Sequence, residues 1–400
     1  MAKDKKKVLK NNNILLGVTG GVAAYKSVDL IRRLKDEGAS VTVIMTDASK
    51  NFITPLSLEI ASGNKVYSSL FEDPMSHIAL SRNADLMVIA PATANIIGKF
   101  ANGIADDLLS TCILSFKGKV VIAPAMNWRM YENPIFQENL KRLISHGVIQ
   151  VGPDKGSLAC GEEGIGRMAD ISEVIEAIKS ALSNKDLSKK KVIITAGPTR
   201  EYLDPVRFIS NRSSGKMGYA VARACLRRGA DVILISGPSS LQSPQGLKSF
   251  VKVETAQEMR DAVFKYLPEA DAVIMAAAPA DFSPGKKEKT KMDKSEKLLV
   301  KFKNTPDILS GIGRLKRRPF LIGFAAETGD RLDKARKKLI QKNADMIVFN
   351  NVSSAGSGFD VDTNKITLIE RDRETPFPLM SKDEAAEVLL EVIAKYLRKR

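Results

Sequence analysis

The chain has 400 residues, and with a domain norm of roughly 100 to 200 residues, two domains are the first expectation and three the upper bound. Its 44% hydrophobic and 27% charged residues exclude a collagen-like or wholly disordered chain. The 62 Lys and Arg against 46 Asp and Glu leave a net charge of +16, which calls for an anionic partner. The distribution narrows that partner. Basic residues gather in the first ten positions, at Lys189 to Lys191, Lys286 to Lys303, Arg331 to Lys342 and Arg398 to Arg400, while aromatics make up only 6% and are not interleaved with them. A platform that stacks single-stranded bases would interleave the two, so phosphate-bearing small molecules are favoured over nucleic acid. Three cysteines, Cys112, Cys160 and Cys225, cannot build a disulfide framework, which fits a reducing cytoplasm. No apolar run reaches the ~18 residues of a spanning helix. The basic Lys3 to Lys10 followed by apolar Ile14 to Ala24 imitates a signal peptide. Gly17, Gly20 and Gly21 interrupt that run, and an amphipathic helix of the same domain follows it, so a cytoplasmic protein without membrane association is expected.

In chain order, short β-branched runs alternate with helical patterns, the signature of βαβ units and parallel sheets. The first series has strands at Ile14 to Val18, Val41 to Met45, Asp85 to Ala90 and Lys119 to Ala123, with helices such as Val22 to Glu37 and Asn133 to His146. The polar stretch Ser183 to Lys190 reads as a linker. The second series has strands at Val192 to Thr195, Val232 to Ser236, Ala272 to Ala276, Phe320 to Phe324 and Asp345 to Phe349. Its helices are Gly215 to Arg228, Ala256 to Tyr266, Asp330 to Lys342 and Lys382 to Leu397. Lys365 to Glu370 reads as a late strand in a hairpin ending near Pro376. The expected fold is therefore α/β, with two Rossmann-like three-layer domains of mostly parallel sheets, residues 1–183 and 191–400, joined by a linker at 184–190. In such sheets ligands sit beyond the carboxyl ends of the strands.

Those ends carry the unusual local sequences. After the first strand comes Thr19, Gly20, Gly21, Val22, Ala23, Ala24, Tyr25, Lys26, where two glycines permit close backbone approach to a phosphate. The spacing is not that of the dinucleotide fingerprint GxGxxG, and a tight strand-to-helix turn accounts for it equally. Asp85 to Ala90 runs into Pro91, Ala92, Thr93, Ala94, Asn95 and then Ala105, Asp106, Asp107. Lys119 to Ala123 runs into Pro124, Ala125, Met126, Asn127, Trp128, Arg129, Met130. Together with His77 in PMSHIALSR and the segment Ala159, Cys160, Gly161 to Gly166, Arg167, Met168, these motifs resemble the flavin-dependent phosphopantothenoylcysteine decarboxylases over about Asn13 to Ile178.

The resemblance implies FMN held by Gly20, Gly21, Val22, Thr46, Thr93, Asn95, Asp106 and Asp107. The chemistry agrees with the residue types. A cysteinyl carboxylate leaves poorly because the carbanion has nowhere to delocalise; two-electron oxidation to a thioaldehyde gives it a place, and the enethiolate is reduced afterwards. His77, one of two histidines, suits the proton transfer, although a lone histidine also reads as structural. Asn127 can anchor the carboxylate or serve only as a turn residue; Arg82 is a second anchor, and Met130 completes the substrate site. Cys160, in a glycine-rich loop, is the candidate acid for the final reduction. Cys112 and Cys225 read as core, and His146 as a helix C-cap.

In the second half, Val192 to Thr195 leads into AGPTRE and then DPVRFISNRSSGKMG. This is no P-loop: Ser210 stands where its first glycine would be, and Met217 where a magnesium-binding hydroxyl would be. With AAAPADF at Ala276 to Phe282, the Lys289 segment, TPDIL at Thr305 to Leu309, GFAAET at Gly323 to Thr328, and Lys338 with Lys342, residues 190–370 resemble the phosphopantothenate–cysteine ligases. Fusion to the preceding decarboxylase is the arrangement of the bifunctional bacterial enzymes. The resemblance implies CTP with Mg2+, activating the phosphopantothenate carboxylate as an acyl-cytidylate that L-cysteine attacks. The CTP residues it implies are Ala276, Ala277, Asp281, Lys289, Thr305, Pro306, Asp307, Ile308, Phe324, Lys338 and Lys342. Asn211 would steady the intermediate, with a turn role as the bland reading; for Asp281 that reading is an N-cap. Two departures from the family pattern, Met292 in place of a lysine and Thr305 in place of an asparagine, bear on nucleotide affinity. The whole reading is a bifunctional enzyme of coenzyme A synthesis acting on 4′-phosphopantothenate, L-cysteine and CTP, with FMN and Mg2+. The resemblance also implies a homo-oligomer, with trimeric contacts in the first half and dimeric contacts in the second. A flavin- or NAD(P)-linked oxidoreductase and a non-catalytic nucleic-acid binder are the rivals.

Overall fold

Strands that are nearly continuous Val, Ile and Leu need cover on both faces, and both halves of the chain supply it. The computed structural model describes residues 7–71, 75–157, 161–293, 299–329, 331–354, 356–358 and 360–398. These divide into two compact units, the first ending at Ser183 and the second starting at Asn184.

In the first unit, β1 (Asn13–Val18), β2 (Ser40–Met45), β3 (Val66–Tyr67), β4 (Leu86–Ala92), β5 (Lys119–Pro124) and β6 (Ile149–Gln150) form one parallel sheet of order β3-β2-β1-β4-β5-β6. Period-two alternation sorts the side chains. Ile14, Leu16 and Val18 enter a core with Leu30, Ile31 and Leu34 of the Lys26–Asp36 helix and with Val174 and Ile178 of Ile171–Leu182. Leu15 faces the opposite way, toward Ile96, Leu109, Cys112 and Leu140. Burial pushes the Cys112 thiol up to about 11 and the Cys225 thiol up to about 12, so both are core groups as expected. The segment Val22 to Glu37 opens as a 3-10 turn, Val22–Tyr25, before the α-helix Lys26–Asp36. His146 caps the Pro134–Ser145 helix, its Nδ1 lying 2.8 Å from the Arg142 carbonyl.

In the second unit the sheet contains β7 (Lys191–Ala196), β8 (Asp231–Ser236), β9 (Ser249–Lys252), β10 (Ala272–Met275), β11 (Phe320–Glu327), β12 (Met346–Asn351), β13 (Ile366–Ile369) and β14 (Glu374–Pro376). The order is β9-β8-β7-β10-β11-β12-β13-β14, parallel through β12 and antiparallel for the last two pairs. The helices Lys216–Arg227 and Lys382–Leu397 cover one face, and Ala256–Tyr266, Ile308–Gly313 and Leu332–Gln341 the other. Both units are thus three-layer α/β structures. The expected helix from Asp330 begins at Leu332; Asp330 itself lies outside the described residues.

Residues 184–190, read from the sequence as a linker, pack as part of the second unit. Leu187 is fully buried, its N–H donates to the Arg228 carbonyl at 3.0 Å, and Arg228 Nε donates to Asp186 at 2.8 Å. Arg228 holds the Asp186 carboxyl below the usual carboxylate range. A polar stretch looks like a linker when its one apolar residue and its charge partners cannot be seen.

Candidate functional sites at the two sheet crossovers

The first sheet reverses its strand order between β1 and β4, and the loops leaving those strands are bonded to each other. Thr19 Oγ1 donates to the Pro91 carbonyl at 2.7 Å and accepts from the Thr93 N–H at 3.1 Å. Gly20 must be glycine, since a Cβ there would stand 2.5 Å from the Ala48 Cβ. The result is a cavity of about 1190 Å3 beyond the carboxyl ends of the strands, where such sheets bind ligands.

Of the residues expected at this site, Gly20, Gly21, Val22, Thr46, Thr93, Asn95, Asp107, Asn127 and Met130 line the cavity. Thr46 presents a buried Oγ1 without a hydrogen-bond partner among the described residues. Asp106 stands just behind: Lys99, which does line the cavity, bridges Asp106 at 2.7 Å and Asp107 at 2.9 Å. Asp107 also caps the Leu108–Ser115 helix. Burial would raise its carboxyl, but the Ser110 amide and Lys99 outweigh burial and hold it below its ordinary value. Asn127 takes the turn role weighed for it and also bonds a carboxylate of the protein itself. Its Oδ1 accepts from the Arg129 N–H at 2.9 Å as an N-cap, while its Nδ2 donates to Glu162 at 3.3 Å.

His77 and Arg82 do not line the cavity. They lie on the Ser76–Asn83 helix, which packs on Leu108–Ser115, with Cys112 Sγ donating to the His77 carbonyl at 3.7 Å. His77 Nδ1 is buried and has no hydrogen-bond partner among the described residues. Cys160 lies outside the described residues. Sequence reasoning gave no site role to Lys26, Lys99, Arg167 and Asp170, all of which line the cavity. Burial, and then Arg167, push the Lys26 ammonium below its ordinary value.

The second sheet reverses between β7 and β10, and again the two loops are joined. Ala278 N–H donates to the Gly197 carbonyl at 2.9 Å, and Ala277 N–H to Thr195 Oγ1 at 3.2 Å. Gly215, at φ +81°, starts the Lys216–Arg227 helix against the Gly197 backbone, and Gly218 leaves room for the end of β7, since a Cβ there would stand 2.6 Å from the Ala196 Cβ. These contacts shape a cavity of about 420 Å3.

Asn211, Ala276, Ala277, Asp281, Phe324 and Lys338 line it; Lys289, Thr305, Pro306, Asp307, Ile308 and Lys342 do not. Several of the latter support the wall. Thr305 Oγ1 donates to the Ala280 carbonyl at 2.6 Å and its N–H to the Asp281 carbonyl at 3.0 Å. Asp307 caps Ile308–Gly313 and pairs with Lys342. Asp281 is no helix cap; it precedes the short strand Phe282–Pro284. Lys289 is exposed. Lys338 Nζ donates to the Phe324 carbonyl at 2.8 Å, and burial pushes its ammonium below the ordinary value. Asn211 Nδ2 donates to the Pro279 carbonyl at 2.8 Å. The sequence reading missed Lys216, Lys382, Asn350 and Asn364, which also line this cavity. Lys216 pairs with Asp362 at 2.7 Å; Lys382 is almost fully buried, donates to the Gly358 carbonyl at 3.2 Å, and is pushed down by burial and then by Lys216. The amide oxygens of Asn350 and Asn364 are buried without a hydrogen-bond partner among the described residues.

Comparison with known proteins agrees with this division. Residues 2–183 match the Flavoprotein family model, and residues 187–397 the model of the DNA/pantothenate metabolism flavoprotein C-terminal domain. The chain is 45% identical over 397 residues to the coenzyme A biosynthesis bifunctional protein CoaBC of Bacillus subtilis, covering 97% of this chain and 98% of that protein. It is 45% identical over 399 residues to the protein of the same name from Escherichia coli K12, with 97% and 98% covered. Among solved structures, the C-terminal domain of a CoaBC protein is 40% identical and matches with a TM-score of 0.47, covering 54% of this chain and all of that one.

Proposed function

The chain belongs to the family of bifunctional coenzyme A biosynthesis proteins, and from that premise we propose that its second unit joins L-cysteine to 4′-phosphopantothenate at the expense of CTP, with Mg2+ as cofactor, while its first unit decarboxylates the product with FMN. The observation that carries this reading is the presence of a cavity with lysine or arginine in its lining at the crossover of each sheet. We read the protein as cytoplasmic and homo-oligomeric, with trimeric contacts in the first unit and dimeric contacts in the second; among the described residues no helix is long and apolar enough to cross a membrane.

The first cavity fits FMN in its residues. Gly20 and Gly21 give backbone approach, Thr46 Oγ1 lacks a hydrogen-bond partner among the described residues, and Lys26, Lys99 and Arg167 supply cations for a phosphate. FMN, when bound, supplies the two-electron oxidation of the thiol and the return reduction. The chain supplies the rest. Asn127 Nδ2 holds the substrate carboxylate, Met130 and Arg82 border the substrate, and His77 moves the proton at its ring nitrogen. His77 and Arg82 both stand off the cavity of their own chain, and this reading assigns the two of them to the cavity of a neighbouring copy. Cys160 donates the last proton.

In the second cavity, Lys338, Lys216 and Lys382 face anionic ligand groups, and Asp281, Ala276, Ala277 and Phe324 hold the nucleotide. Screening of the phosphates lets the carboxylate oxygen approach the α-phosphorus. Asn211 steadies the mixed anhydride until the cysteine amine attacks, and Lys289 reaches the triphosphate from its exposed segment. A mass-spectrometric product assay with phosphopantothenate, cysteine, CTP, Mg2+ and the flavin-loaded protein is expected to give 4′-phosphopantetheine. Failure of cysteine to be joined to phosphopantothenate would overturn the reading.

A pH dependence follows from Lys338 and Lys382. Both ammonium groups are held below their ordinary values, chiefly by burial, and an anionic ligand restores the charged form. Binding of CTP therefore takes up protons at pH values above the lowered pKa, and affinity falls as pH rises through it. Calorimetry in buffers of different ionisation heat, from about pH 7 to 9.5, measures this uptake. It is expected to grow with pH and to shrink in Lys338→Met; no uptake across the range would remove both lysines from the ligand's surroundings.

A further inference from the structure

Glu162 lies in the turn between the strands Asp154–Ser157 and Glu163–Arg167 of a small antiparallel hairpin. Its carboxylate is bound by three consecutive residues of the loop after β5. Asn127 Nδ2 donates to Oε2 at 3.3 Å, Trp128 Nε1 to the same oxygen at 2.7 Å, and the Arg129 guanidinium to Oε1 at 3.0 Å. The approach is built in. A Cβ at Gly164 would stand 2.7 Å from the Trp128 Cβ, and one at Gly166 2.1 Å from the Met126 carbonyl oxygen, so the hairpin reaches this loop only because both positions are glycine. Met126 N–H and the Gly166 carbonyl close the junction at 2.9 Å.

Three donors converging on one carboxylate constitute a carboxylate-binding site, and its first donor, Asn127, lines the first cavity. We propose that Asn127, Trp128 and Arg129 together form the subsite for the carboxylate of the decarboxylase substrate, and that Glu162 is its resident occupant, displaced when substrate binds and restored when the carboxylate has left as carbon dioxide. This rests on the reading of Asn127 as the carboxylate anchor. The chemistry makes the exchange directional. Substrate brings a carboxylate that competes with Glu162 for the same charge-assisted bonds, whereas the decarboxylated product brings none, so the resident Glu162 weakens the binding of substrate and leaves that of product unchanged.

The test uses the full-length, flavin-loaded protein and two congeners in which the thiol is replaced by hydroxyl and turnover is blocked: 4′-phosphopantothenoylserine, which has the carboxylate, and 4′-phosphopantothenoylethanolamine, which lacks it. Glu162→Gln keeps the side-chain shape but weakens the internal ligand. It is expected to tighten the serine congener about 5-fold, the scale separating charge-assisted from neutral hydrogen bonds, and to leave the ethanolamine congener within about twofold. Arg129→Gln is expected to weaken the serine congener alone. Trp128 is the only tryptophan of the chain, so its emission reports loss of the Glu162 bond: the parent should shift with the serine congener and not with the other. If the parent binds both congeners equally, the carboxylate reading of Asn127 falls and this proposal with it. If the parent prefers the carboxylate but Glu162→Gln weakens both congeners alike, or leaves the serine congener unchanged, the exchange alone is overturned.

Discussion

Replacing Glu387 by alanine is expected to destabilise the second unit by about 3 to 5 kcal/mol, the scale found when one partner of a buried ion pair is removed. Arg227, at the end of the Lys216–Arg227 helix, is only 1% exposed, and its Nε and NH2 donate to Glu387 Oε1 at 3.0 and 2.7 Å. Glu387 belongs to the Lys382–Leu397 helix, and the two helices share one apolar core. The neighbouring Cys225 is fully buried, so water is excluded there. Without Glu387 the guanidinium keeps its charge and loses the carboxylate that takes two of its hydrogen bonds, so the penalty includes desolvation as well as the lost contact. Calorimetry of the full chain should show the transition of the second unit lowered by roughly 6 to 20 °C, with the first unit unaffected. Arg227→Met combined with Glu387→Leu should recover most of the loss, because a packed apolar pair needs no compensation. A shift under about 2 °C for Glu387→Ala would show that Arg227 is compensated elsewhere.

The same dependence on local surroundings decides which features are legible in the sequence. The helices Ala256–Tyr266 and Lys382–Leu397 have the expected bounds because each starts with a capping box, Thr255 with Glu258 and Ser381 with Glu384. Central strands are legible because both of their faces are apolar. Edge strands β3, β6 and β9 and the hairpin Asp154–Ser157 with Glu163–Arg167 are not. Lys, Gly, Ser and Gln residues there carry no periodicity, and pairing rests on the backbone. Site residues divide likewise. Gly20, Thr93 and Asn127 follow strands closely, where the position itself signals a ligand. Asn350 has the same signal, since it ends the run Asp345 to Phe349, although the sequence reading did not use it. Lys382 has none: a helix-starting lysine reads as solvated until the fold buries it beside Gly358. Lys289 and Lys342 show the reverse error of geometry, because basic runs announce charge without placing it in a cavity.

His77→Asn should abolish release of carbon dioxide, lowering it by at least about 10³-fold, while leaving ligation unchanged. Asparagine keeps a polar side chain of similar reach but cannot take and return a proton near neutral pH. The fold should tolerate the change, since His77 Nδ1 makes no hydrogen bond among the described residues that would be lost. The more decisive experiment follows from the position of His77 on the Ser76–Asn83 helix, away from the cavity that Asn127 lines in the same chain. If each site takes His77 from one copy and Asn127 from another, His77→Asn and Asn127→Leu chains are each inactive alone but complement when mixed. Statistical exchange of the two leaves roughly a quarter of the sites with both native groups. Decarboxylation should therefore reappear on co-refolding or co-expression and be absent when the two are mixed without subunit exchange. Recovery shows that the base and the carboxylate anchor come from different copies. No recovery in demonstrably mixed oligomers would mean that His77 acts within its own chain or not at all, and full activity of the His77→Asn chain alone would remove the residue from the chemistry.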